Sequence, residues 1–225
     1  MTTSRSFRLE SFLIPFFTFV CLTVSGQNRL AIGSSLNYSN LYSEPMSEMF
    51  GFNMELYKEK KDGKIIGYGI NLGYNETDRI FQNSAAIRGY SFKRYLVQLD
   101  GKLKSNLFQD SNTFSLHYLS SMYYVNDYVK PVITSENPVR THNIGQGLGL
   151  SPQYLIPISK NSYVNISMPI MISAYDFERE YTDAIDQFEQ ARIKDNWTFF
   201  SNYFISFRLG FAFNTGPRKK SRRRR

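Results

Sequence analysis

Cysteine is almost absent from this chain. Cys21 is the only one, and it lies inside an apolar amino-terminal segment. There is no partner for a disulfide, and a mature chain without that segment has no thiol for metal binding or nucleophilic attack. Histidine is nearly absent too, with only His117 and His142, which leaves few candidates for a general base or a soft-metal ligand. No phosphate loop, nucleotide fingerprint or paired metal-ligand spacing occurs. Beyond Val24 no apolar run approaches the ~20 residues that a transmembrane helix needs. Any later crossing of a membrane must therefore be made by strands. Charge is missing from the body as well. Of the net +8, Arg5, Arg8 and Glu10 supply +1, and Arg218, Lys219, Lys220, Arg222, Arg223, Arg224 and Arg225 supply +7. Residues 27–217 sum to zero, so nothing in them suggests a nucleic-acid surface.

Aromatic residues and periodicity are abundant instead, with 19 Phe and 16 Tyr. The amino terminus has a basic start at Arg5 and Arg8, an apolar run from Phe12 to Val24, and the small pair Ser25-Gly26. That pattern predicts a secretory signal peptide cut after Gly26. An uncleaved anchor is the rival reading, but the run is shorter than the ~20 residues of a span. Cys21 follows Phe19-Val20 rather than a small residue, which makes it a poor site for lipoprotein acylation.

The clearest periodicity lies near the carboxyl end. Tyr203, Ile205, Phe207, Leu209, Phe211 and Phe213 alternate with Ser206, Arg208, Gly210 and Ala212. Period-2 alternation marks a strand with one apolar face. Seven earlier segments repeat it, over about 29–39, 50–58, 66–74, 90–103, 114–124, 143–156 and 163–175. Turns are predicted at Lys61-Asp62-Gly63-Lys64, Asp110-Ser111-Asn112 and Ser159-Lys160-Asn161-Ser162. Between them stand longer connections at 40–49, 75–89, 125–142 and 176–195. Long and short connections alternate, as in up-and-down membrane barrels with short periplasmic turns and longer external loops.

The second face of the strands separates the two ways of covering the first. A soluble lipocalin-like barrel would need solvating residues outside. Here that face carries Gly67, Gly69, Gly73, Gly145, Gly147 and Gly149. Small residues fit the interior of a narrow barrel, beside large inward side chains. The expected fold is all-β, an eight-stranded antiparallel up-and-down transmembrane β-barrel. The expected division is a signal peptide (1–26), a barrel (27–217) and a basic periplasmic tail (218–225).

The leader, the eight alternating segments, the loop rhythm and the aromatic last strand together resemble the small outer-membrane β-barrel family of double-membraned bacteria, over about residues 29–213. The resemblance implies an outer-membrane location, lipid around the barrel, and recognition by the barrel-assembly machinery. It also implies that Phe207, Leu209, Gly210, Phe211 and Phe213 form the assembly signal. Unlike the family, this chain continues past Phe213 into the basic tail.

The expected lumen holds Glu55, Arg94, Asp100, Lys102, His117 and Arg208. Enclosed charges need partners, so these read as a polar network that fills the interior. The rival is a narrow path for ions or small solutes. A lipid-acting hydrolase would need a Ser/His/acid set, and only His117 and His142 could serve it. No cofactor, metal or nucleic acid is expected. Residues 176–195 read as a charged external loop, with a helical turn near Ala184–Arg192. The tail reads as a passive extension or as a contact for an acidic periplasmic partner or anionic headgroups. The expected function is a structural or surface-interaction role exercised through the external loops.

Overall fold

The computed structural model describes residues 28–39, 48–59, 64–82, 87–108, 113–132, 137–182 and 192–215. The expected leader, its cut after Gly26 and the tail at 218–225 lie outside the described residues. Alternation drives the described residues into ten strands: β1 (Asn28–Ser39), β2 (Glu48–Glu59), β3 (Ile65–Gln82), β4 (Ile87–Lys104), β5 (Phe114–Pro131), β6 (Val139–Pro157), β7 (Ser162–Ser167), β8 (Ile170–Thr182), β9 (Arg192–Thr198) and β10 (Tyr203–Asn214). All neighbouring pairs are antiparallel, and β1 pairs with both β2 and β10, so the sheet closes on itself. Closure leaves no open edge in the ring, the condition for sheet in lipid. Among the described residues no helix is long and apolar enough to cross a membrane.

Ten strands build eight staves, because two staves are broken. β7 and β8 together pair with β6 on one side and β10 on the other, and Met168-Pro169 separates them. Proline cannot donate to a ladder, and its carbonyl instead accepts from Ser206 N at 2.9 Å. β9 and β10 are separated at 199–202, where Phe200 has a φ of 51°, a left-handed conformation that is costly for an aromatic residue.

Register fixes the geometry. Pairs run from Arg29 through Tyr57, Gly67, Lys102, Leu119, Gly149, Met171 and Phe204 back to Ser39, ten residues further along β1. A climb of ~33 Å over eight spacings of ~4.8 Å tilts the staves by about 40°. The ring is sewn shut where Gly33 faces Gly210. A Cβ on either would lie 2.3 Å from Leu209 O or 2.1 Å from Ile32 O, so only glycine permits that approach. Large inward side chains occupy the space over other glycines, Tyr57 over Gly67 and Met171 over Gly147.

The outer face carries Ile32, Leu36, Phe52, Leu72, Val97, Leu99, Leu148, Ile172, Phe207 and Leu209, all exposed. That tilt brings six outward tyrosines to about one level: Tyr38, Tyr74, Tyr95, Tyr124, Tyr175 and Tyr203. Tyr38 stacks with Tyr203 at 6.1 Å and Tyr74 meets Tyr95 at 5.1 Å. Such a belt marks the edge of an apolar band. On the opposite rim the two described ends meet, with Thr215 N donating to Asn28 O at 2.8 Å.

The structure corrects the expected loops. Residues 75–82, 87–89, 125–131, 139–142, 176–182 and 192–195 are strand. Beyond the tyrosines the outward residues become charged and polar, so a reading based on apolar alternation stops at the belt although hydrogen-bonded pairing continues. The helical turn expected near Ala184–Arg192 falls mostly outside the described residues, and Arg192 itself is in β9.

Candidate functional site

The barrel interior is stacked in layers. Nearest the chain ends, Ala31, Tyr57, Leu155 and Ala212 form an apolar cluster. Above it lies a quartet of charges. Lys102 Nζ donates to Glu55 Oε1 at 2.6 Å, and Arg208 Nη1 donates to Glu55 Oε1 and Asp100 Oδ2, each at 2.7 Å. All four side chains are 1 % exposed or less. Two acids against two bases make the group neutral, which a low-dielectric interior requires. Gln98 Nε2 and Ser121 Oγ complete the Asp100 carboxylate at 2.8 and 2.6 Å. An amide layer follows, in which Asn71 Nδ2 and Ser206 Oγ both donate to Asn37 Oδ1 at 2.7 Å. Met49, Leu96, Leu119, Tyr123, Val125, Met171 and Phe204 form the upper apolar layer. Tyr123 and Phe204 pack there as tilted rings with centres 4.4 Å apart.

Glu55, Asp100, Lys102 and Arg208 are thus brought together, while the other two expected lumen residues sit apart. Arg94 lies beyond the upper layer and forms a two-pronged pair with Asp127, both bonds 2.7 Å. The sequence reading misses Asp127 because it ends strand five at Tyr124, although Asp127 keeps the inward parity of Ser115, His117 and Ser121. His117 packs its ring 5.5 Å from Tyr57 and meets a backbone oxygen, Ser151 O, at 3.4 Å. His142 points the other way, outside the barrel, where its Nδ1 lies 2.6 Å from Tyr124 Oη and 2.9 Å from Asn126 Nδ2. Among the described residues neither histidine bonds a serine hydroxyl or a carboxylate, as a hydrolase triad would require. Phe207, Leu209, Phe211 and Phe213 face outward, and Gly210 is in the closing seam.

Outside the tyrosine belt, β3, β4, β5, β6, β8 and β9 continue upward as one sheet. Its outer face mixes aromatic rings with charge. Phe177 meets Trp197 at 4.8 Å, the Arg179 guanidinium lies 5.4 Å from Phe177, and that of Arg140 lies 5.1 Å from Tyr128. Arg179 and Asp195 pair at 2.7 Å, and that bond holds the Asp195 carboxyl below its ordinary range. Bonds from Lys93 and Tyr74 do the same for Glu76. Among the described residues β9 has one strand neighbour, β8, and residues 193–197 are exposed on both faces. Trp197 and Ile193 are among them. Exposed aromatics and a strand edge are the means by which sheets recruit partners.

The architecture has known counterparts. A major outer membrane protein from Thermus thermophilus matches with a TM-score of 0.50 and 11% identity, over 84% of this chain and 99% of that one. OprG, an outer membrane protein of Pseudomonas aeruginosa, matches with a TM-score of 0.50 and 8% identity, over 86% of this chain and 97% of that one. The chain is an outer-membrane-type β-barrel. Ail, the attachment invasion locus protein of Yersinia pestis, is also similar, with a TM-score of 0.44 and 13% identity, over 85% of this chain and 100% of that one. No family model and no curated protein matches the sequence. At these identities the barrel's likeness is one of fold.

Proposed function

We propose that this barrel is a non-conducting, non-enzymatic outer-membrane protein with a surface-interaction or envelope-stabilising role, acting through the sheet that projects beyond its tyrosine belt. The carrying observation is the contrast between a filled interior and an open exterior. A neutral charge quartet lies between two apolar layers inside, while rings and ion pairs stand exposed outside. The signal peptide cut after Gly26 would direct export. Recognition of Phe207, Leu209, Gly210, Phe211 and Phe213 by the assembly machinery would then direct insertion. The projecting sheet would face the cell exterior, and the tail at 218–225 would face the periplasm and an acidic partner or anionic headgroups. Deleting the tail tests that last role through loss of a co-purifying protein from a barrel that still folds.

Planar-bilayer recording of the refolded barrel tests the main reading. No resolvable current steps are expected. Steps that vanish on Glu55→Gln or Arg208→Leu would establish the narrow channel instead.

A further inference from the structure

Among the described residues, three buried oxygens near the upper end of the barrel have no hydrogen-bond partner: Tyr123 Oη, Asn143 Oδ1 and Asp176 Oδ1. Their residues are 3 %, 2 % and 1 % exposed. They share one neighbourhood. Tyr123 on β5 and Asp176 on β8 both pair with Gly145 of β6, and Asn143 is the next inward residue on β6. A Cβ on Gly145 would lie 2.3 Å from Tyr123 Oη and 2.6 Å from Asp176 Oδ1. The two oxygens therefore converge over bare glycine backbone, no further apart than those distances combined, yet they do not bond each other. Asp176 Oδ2 is satisfied, accepting from Asn202 Nδ2 at 2.8 Å and from Ser173 Oγ. Among the described residues no lysine or arginine pairs with this carboxylate. Glu178, the next inward residue on β8, pairs directly with Asn143.

The backbone around this group is irregular in two places. β8 bulges against Gln146 and Gly147, and the joint between β9 and β10 holds Phe200 at positive φ. Ser173 N donates to Asn202 O at 2.8 Å. Bulge and joint thus meet at the Asp176 carboxylate. Bulges and strained residues are over-represented where a site is built. Two buried acceptors and a phenol hydroxyl without partners, beside a buried carboxylate without a counter-ion, are groups that a bound cation would satisfy together.

We infer that this cradle is a calcium site, with Asp176 Oδ1, Asn143 Oδ1 and Tyr123 Oη as ligands and Glu178 as the second carboxylate. The donors are all oxygen, which selects a hard cation over zinc or copper. His142, the one nitrogen donor nearby in sequence, faces the other side of the sheet. Two carboxylates balance a divalent ion. Calcium accepts an irregular ligand set completed by water, whereas magnesium demands near-octahedral geometry.

Terbium luminescence on the refolded full-length barrel tests the inference, with tyrosine excitation and calcium as competitor. Emission should be displaced by calcium with an apparent dissociation constant on the order of 1 mM, the range of extracellular calcium modules, and not by magnesium. The temperature at which the boiled-gel shift occurs should rise from EDTA to calcium. Asp176→Asn should lose both responses, and Gly145→Ala, which fills the cradle without removing a donor, should lose the emission. The exposed control Glu76→Gln should keep both. An equal response in Asp176→Asn, or a rise that magnesium reproduces, overturns the site. If a variant does not fold, the wild-type titration decides alone: emission that calcium displaces and magnesium does not upholds the site, and its absence overturns it.

Discussion

The barrel buries its acids in two different ways. Glu55 and Asp100 lie deep in the band, and each accepts from a buried cation within the chain. Asp176, just beyond the tyrosine belt, is equally hidden and has only neutral donors. The dielectric cost of burial is similar in kind at both places. In the quartet the chain supplies the compensating charge itself, although Arg208 Nη2 has no partner among the described residues. At Asp176 the chain does not, and the carboxylate has only neutral donors among the described residues.

Removing a cation from the quartet is the strongest way to break this contrast. Arg208→Leu leaves two buried carboxylates sharing Lys102 alone. The expected loss is about 3–5 kcal/mol, read as the urea midpoint of the boiled-gel shift in detergent. A midpoint that stays within error would mean that water already neutralises the quartet.

Asp176 should respond with the opposite sign. Burial pushes its carboxyl up to about 6, against bonds from Asn202 and Thr198 that pull it down, and Glu178 adds to the rise. A carboxyl that binds its proton more tightly in the folded chain stabilises the fold below the unfolded pKa of about 4. That contribution is lost as pH climbs through about 6. In EDTA the barrel should thus be less stable at pH 7 than at pH 4.5, and Asp176→Asn should abolish most of that difference. At pH 7 the variant should gain about 1–2 kcal/mol, a figure discounted for partial screening at the mouth. A pH profile identical to wild type would place the titration elsewhere, with half-buried Glu178, whose carboxyl burial also raises, the next group to replace.

Parts of this architecture are legible in the sequence alone. Inward parity puts Glu55, Arg94, Asp100, Lys102, His117 and Arg208 on one face, because a strand that alternates against lipid must carry its polar residues on the other face. The outer third was not legible. From Glu76 to Gln82 and from Asp176 to Thr182 charged and polar residues interrupt the outward apolar series that Ile80 and Phe177 continue, so the period-2 signal fades while the ladder goes on. Asp176 lies in the second of those stretches, and Asp127 and Trp197 lie in the matching outer parts of β5 and β9. Nor could parity alone distinguish a carboxylate with a cation from one without, since that depends on which staves meet. The bulge at Gln146/Gly147 left no mark in the composition of β8.

The same outer third supplies the smallest effect and a controlled comparison. Arg94–Asp127 and Arg179–Asp195 have the same two-pronged geometry, with every bond 2.7 Å. They differ in exposure, 3 % and 8 % for the first pair against 41 % and 42 % for the second. If geometry set the contribution, both pairs would matter equally. If solvation sets it, Asp127→Ala should cost about 2–3 kcal/mol by stranding a buried guanidinium, while Asp195→Ala should leave the unfolding midpoint where it was. Raising salt from 0.1 to 1 M shortens the Debye length from about 10 to 3 Å, and it should weaken only what water already reaches. Equal losses in the two alanine variants would mean that the projecting sheet is drier than its exposure implies, as it would be with a partner already bound across Trp197 and Arg179.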